Sequence, residues 1–180
     1  MILNRQRTVR VARPLLELFL RRVREQLGLD GAGVTICLVS DAEIARMNES
    51  FRKKRGPTDV LSFPAVTRRK PQPIPRPGSP VVAVADRGGR LSRQAATALA
   101  QKKRPHRQRA VASDADFLGD IAISPAAARR NAKKYRRTLP DELQILILHG
   151  VLHLLGYDHE TDGGQMTRIE RKLRRKMGLS

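Results

Sequence analysis

The chain has 180 residues, the size of one ordinary domain, and its 36 Lys and Arg against 17 Asp and Glu leave a formal net charge of +19. So large a basic surplus points to an acidic partner, RNA first, while 40% apolar residues exclude wholesale disorder. A lone cysteine, Cys37, excludes an intramolecular disulfide, no apolar run approaches the roughly 20 residues of a membrane span, and the basic N-terminus lacks a signal-peptide pattern; a cytoplasmic protein with no membrane partner is expected.

Leu16, Phe19, Leu20, Val23 and Leu27 fall at helical spacing and predict an amphipathic helix from Pro14 to Gly28. Val34 to Val39 is apolar and β-branched, the pattern of a strand covered on both faces. Ser40-Asp41-Ala42-Glu43 matches a capping box, and Ile44, Met47 and Phe51 carry a short helix onward. Asp59 to Phe63, stopped by Pro64, reads as a second strand. Between Val66 and Ser113 the character changes: twelve Lys and Arg stand against one acid, Asp86, a net of +11 out of the chain's +19, together with six of the eleven prolines. This stretch is expected to be a solvated insertion without strand or core helix, because its prolines remove backbone donors and its alanines form no wide apolar stripe.

Phe117 to Ile123 is a further strand, and Ser124-Pro125 supplies an N-cap and a first-turn proline for an alanine-rich helix ending near Tyr135. Pro140-Asp141-Glu142 opens the next helix, whose body from Leu143 to Leu155 is almost wholly apolar and therefore buried. Met166, Ile169, Leu173 and Met177 mark a last amphipathic helix. Helices and strands intermix without a regular βαβ repeat, so the fold class is α+β (mixed α/β): a small twisted sheet of about four strands packed with about five helices, the central one carrying two histidines. The chain is expected to form a single domain over residues 1–180, with the basic Pro-rich insertion at about 66–113.

Three of the four histidines lie within the segment His149-Gly150-Val151-Leu152-His153-Leu154-Leu155-Gly156-Tyr157-Asp158-His159. His149 and His153 are four apart on one helical face and can bind the same ion, while Gly156 can end the helix and turn His159 towards it. A helix interior this apolar would not keep two imidazoles unless something satisfied them. Three imidazoles with an open fourth position suit a catalytic Zn²⁺, one per chain. The same spacing occurs in metzincin proteases, but their general-base glutamate follows the first histidine, and here that residue is Gly150.

With this segment, Pro57-Thr58-Asp59-Val60-Leu61-Ser62-Phe63-Pro64 and Leu118-Gly119-Asp120-Ile121 in that order, the chain resembles the bacterial YbeY endoribonucleases, zinc-dependent enzymes of ribosomal RNA maturation. The resemblance implies that His149, His153 and His159 hold zinc and that Arg52, just upstream of the second motif, serves RNA cleavage. It also implies single-strand-specific action on ribosomal RNA, including 3′-end processing of the small-subunit RNA, and ribosome quality control, with ribosomal subunits and assembly factors as partners. Family members join the two strand motifs by a much shorter connection, so the segment around 66–113 is an insertion: an extra RNA-gripping arm or a plain solvated loop.

Around the histidines, Asp120 and Asp158 are candidates to orient an imidazole, and Thr58, Asp59 and Ser62 to line the cleft. Aromatics make up only 3% of the chain, which argues against base stacking in recognition. Two other readings accompany the nuclease: a zinc metalloprotease of metzincin-like spacing, and a non-catalytic ribosome-assembly factor with a structural zinc.

Overall fold

The computed structural model describes residues 1–65, 117–159 and 161–179. The expected insertion at 66–113 lies outside the described residues.

The elements run β1 (Ile2–Asn4), α1 (Arg13–Leu27), β2 (Gly33–Leu38), α2 (Asp41–Arg52), β3 (Val60–Pro64), β4 (Phe117–Ile123), α3 (Pro125–Lys134), α4 (Leu139–Leu154) and α5 (Gln165–Met177). They form a mixed α/β fold with one four-stranded sheet in the order β1-β2-β4-β3. β1 and β4 pair with β2 in parallel, and β3 closes the edge antiparallel to β4.

Local chemistry sets the element ends close to where the sequence puts them. Gly28, at φ 65°, ends α1 in the left-handed region, and the side chains of Ser40, Ser124 and Thr138 cap α2, α3 and α4 by accepting from backbone N–H groups three residues on. Ser124 also donates to the Asp41 carboxylate, which Arg130 holds at 2.7 Å; that hydrogen bond, with a smaller push from burial against it, lowers the Asp41 pKa. These contacts tie the start of α2 to the start of α3 across the end of the sheet.

One strand is added to those read from the sequence, and one sequence reading needs correction. β1 is a strand that the sequence does not announce: three residues are too few to show a period, and Ile2 is fixed by pairing with Ile36 across the sheet. With it, β1-α1-β2 becomes a parallel βαβ unit, although no such repeat is visible in the sequence. β2 alternates along its length between buried and half-buried residues; Val34, Ile36 and Leu38 enter the main core, while Cys37 packs with a small second cluster around Ile44, Leu61 and Ala122. One face of the sheet is thus more deeply covered than the other.

Helix α4 lies on the well-covered face and is the centre of the core. Ile147, Leu148, Val151, Leu152 and Leu154 have no exposed surface. It approaches the sheet tightly at Gly150, where a Cβ would lie 2.9 Å from both the Cδ1 and the Cγ2 of Ile121 and 3.2 Å from the Ser62 hydroxyl. Gly119 answers a tighter demand on β4: its φ of 140° is open to glycine, and a Cβ there would run into the Phe63 carbonyl of the neighbouring strand.

These two glycines should therefore respond differently to substitution. Gly119→Ala is expected to cost about 2–5 kcal/mol, since both backbone strain and a backbone clash arise, whereas Gly150→Ala costs about 1–3 kcal/mol because side-chain atoms can shift. Urea unfolding of the two variants checks this; a Gly119→Ala protein as stable as the parent would contradict the close strand approach.

Candidate metal centre

His149 and His153 project from the last turns of α4 and are half-buried, while His159 follows the helix and is exposed. The chain reverses at Gly156, whose φ is 88° and whose N–H donates to the His153 carbonyl at 2.9 Å. The buried side chain of Tyr157, only 2% exposed, anchors the turn in the core and so delivers His159 to the other two rings. The ring centroids stand 4.7, 5.5 and 5.4 Å apart, and one ring nitrogen from each histidine lies within 4.8 Å of the others.

The arrangement fits a metal ion. The Nε2 atoms of His149 and His153 are 3.1 Å apart. Two imidazole ligands of a tetrahedral ion, each at about 2.0–2.1 Å, would stand about 3.3 Å from one another. On its far side His149 is held by Glu170 of α5, whose Oε2 lies 3.0 Å from Nδ1. A carboxylate can only accept here, so Nδ1 is the donor, and Nε2, on the side of the other histidines, is the nitrogen that a metal would take, the tautomer such a site requires.

Electrostatics favours the same state. Burial lowers the His153 pKa, and the proximity of His149 and His159 lowers it further, against a weaker opposing pull from a hydrogen bond to the Tyr157 backbone and the charge of Asp158. The ring is accordingly neutral and able to donate its lone pair at pH 7. Burial pushes the Glu170 carboxyl upward, but the hydrogen bond from His149 and the nearby charges, including Arg174 at 3.7 Å, outweigh it and hold the pKa below the ordinary value. Glu170 is therefore ionised when it orients His149.

The three rings face a cleft of about 570 Å³ between the end of α4, the edge strand β3 and the end of α2. Arg52, Thr58, Asp59, Ser62 and Asp158 all line it. α2 ends directly after Arg52 because Lys53 turns into the left-handed region at φ 58°, and the Asn48 side chain holds the following loop by donating to the Gly56 carbonyl at 3.0 Å. Several of these side chains are occupied structurally. Asp59 accepts from the Val60 N–H at 2.9 Å, the Thr58 hydroxyl at 3.2 Å and the Asn131 amide at 2.9 Å. Ser62 donates to the Gly150 carbonyl at 3.3 Å, and Asp158 accepts from the Thr161 hydroxyl at 3.2 Å while forming the turn after Tyr157.

Asp120 is not brought to the histidines. It pairs opposite Phe63 in the β3–β4 ladder, and because its neighbour Ile121 faces α4, strand alternation sends Asp120 to the other face, beside Cys37 and Phe63. A carboxylate that touches a ligand candidate, Glu170, lies outside the motifs that the sequence singles out. Its signal is faint but present: it is the only acid in α5, set beside the apolar stripe of an otherwise strongly basic helix. Gly150, the position of the metzincin glutamate, faces the sheet, where Ile121 and Ser62 leave no space for a larger side chain.

Known proteins resemble this chain over most of its length. The family model described as Endoribonuclease YbeY matches residues 1–178. A Solibacter usitatus protein named Endoribonuclease YbeY is 36% identical over 167 residues, covering 93% of this chain and 80% of its own length. A protein of the same name from Koribacter versatilis is 34% identical over 179 residues, covering 99% of this chain and 86% of its own. The solution structure of a Thermotoga maritima protein shares the fold with a TM-score of 0.51 at 24% identity, over 96% of this chain and 85% of that one. Among the described residues no helix is long and apolar enough to cross a membrane.

The contact between Glu170 and His149 has a direct consequence for metal affinity. Glu170→Gln keeps the shape but weakens the fixed tautomer, and is expected to lower affinity for a metal ion by roughly 10- to 100-fold with the three histidines intact. Competition against a chromogenic chelator measures it; unchanged affinity would show that Glu170 does not orient the ligand.

Proposed function

The chain belongs to the YbeY endoribonuclease family, and on that footing we propose that residues 1–180 form a single zinc-dependent endoribonuclease domain that cuts single-stranded ribosomal RNA in the cytoplasm. Its task is then 3′-end maturation of the small-subunit RNA and ribosome quality control, alongside ribosomal subunits and assembly factors. The observation that carries this reading is a three-histidine cluster opening onto a cleft that Arg52 also lines.

Zinc is the proposed ion, one per chain, because three imidazole donors suit it and leave a coordination position free. When bound, it would supply Lewis-acid polarisation of a phosphoryl oxygen and acidification of a water molecule. The chain's own residues do the rest. Glu170 keeps the proton on Nδ1 of His149 and so takes the imidazole-orienting role that the sequence suggests for Asp120 and Asp158. Arg52 reaches the scissile phosphate with a guanidinium fork and stabilises the charge that develops there. Thr58, Asp59 and Ser62 hold the shape of the wall: Asp59 fixes the entry to β3, and Ser62 fastens the strand to α4. Exposure of His159 and the absence of a fourth ligand from the histidine cluster among the described residues support a working site over a closed structural one. A peptidase reading lacks its general base, since Gly150 is packed against the sheet.

Incubation of zinc-loaded protein with single-stranded ribosomal RNA tests the proposal. Wild type is expected to cut RNA and to leave casein intact, and His153→Ala to lose both zinc and cleavage. Arg52→Ala should keep its zinc but lose roughly 10²–10³ in kcat, the usual effect of removing one preorganised charge stabiliser. Cleavage by the His153 variant at the wild-type rate would remove the metal from the mechanism, and full activity of the Arg52 variant would remove the arginine.

A further inference from the structure

Phe51 is out of keeping with its place in the sequence. The helical spacing of Ile44, Met47 and Phe51 predicts a common buried stripe, yet Ile44 is 0% and Phe51 68% exposed. Scattered exposed apolar residues are ordinary, but this one has three particular features. It lines the same cleft as His149, His153 and His159. Its ring is held edge-on to Phe63, with centroids 4.9 Å apart and planes at 70°, so its orientation is fixed while most of its surface stays open. It is followed directly by Arg52-Lys53-Lys54-Arg55, four consecutive cations at the end of α2. The other exposed aromatic among the described residues, Tyr135, lies at the end of α3 near Lys134 and Arg137, and does not line the cleft.

We propose that Phe51 is a stacking platform for an unpaired base at the mouth of the cleft, with the adjoining basic residues taking the neighbouring phosphates; this rests on the ribonuclease reading above. An open aromatic face beside a run of cations is the combination that binds single strands without reading their sequence. A base inside a duplex already has both faces covered by its neighbours, so such a platform accepts only an unpaired or splayed nucleotide. Selection of single strands then arises from this chain's own surface and is independent of the metal. A low overall aromatic content does not weigh against it, because one ring suffices when it stands at the site.

The test measures binding and cleavage on the zinc-loaded protein. A short fluorescein-labelled single-stranded RNA and the same backbone carrying abasic sites throughout are compared by anisotropy for wild type, Phe51→Ala and Phe51→Tyr. Phe51→Ala is expected to raise Kd and KM for intact RNA by roughly 5- to 150-fold with kcat little changed, Phe51→Tyr to behave as wild type, and both to match wild type on the abasic strand. Intact RNA bound equally well by Phe51→Ala, or an equal loss on the abasic strand, would overturn the platform while leaving the ribonuclease reading standing. Wild-type protein that cuts no RNA would overturn that reading instead, and the binding measurements would still decide whether Phe51 stacks on a base.

Discussion

Helix α4 crosses the sheet at Gly150, where a Cβ would stand 2.9 Å from Ile121, and almost everything about the cleft follows from that close approach. With no side chain at this position the helix can settle onto β3 and β4, and the Ser62 hydroxyl can reach the Gly150 carbonyl. Seating the helix there fixes its rotation. Leu148, Val151, Leu152 and Leu154 then point into the core with no exposed surface, and the His149 and His153 face turns towards the β3 edge. A side chain much larger than a methyl group would exceed what Ile121 and Ser62 can yield, lift the helix from the sheet and swing both imidazoles with it. The same glycine accounts for the missing protease base, since a side chain here would meet the sheet.

The three imidazoles illustrate how an apolar core tolerates polar groups. Burial and mutual proximity lower the His153 pKa, and Glu170 holds His149 at Nδ1, so both imidazoles of a greasy helix have partners. Glu170 in turn is kept ionised by His149 and Arg174 despite its own burial. α5 therefore does more than cover the core: it carries a carboxylate, Glu170, that aims a ring of α4. From half-buried to exposed, His149, His153 and His159 lead outward from this support to the open cleft.

The other wall of the cleft is made by chain ends. β3 is the sheet's edge strand, and α2 stops at its lip because Lys53 takes a left-handed conformation that a side chain adopts only at some cost. Ending the helix there leaves Phe51 and Arg52 as adjacent residues at the rim. The opposite face of β3 and β4 borders a smaller apolar cavity with Cys37, Met47, Phe63 and Asp120, so Phe51, which lines both spaces, stands between them.

Apolar periodicity alone places the elements whose burial forms a long period. α1, α4 and α5 lie within a residue or two of their apolar stripes, and the histidine spacing on α4 already required two rings on one face. The Gly156 turn was legible for the same reason, since only glycine enters the left-handed region freely. Tertiary structure decided what depends on contacts between distant segments. β1 exists only through its pairing with β2, and Glu170, twenty-one residues from His149, is a neighbour only because α5 folds back on α4. Alternation along β4 guaranteed that Asp120 and Ile121 face opposite ways, but only the packing of α4 decided that Ile121 faces it and Asp120 does not. Periodicity reports which residues share a face; which face is covered, and by what, is a property of the assembled layers, and that is why the metal-binding pattern was readable while its supporting carboxylate and the exposed ring of Phe51 were not.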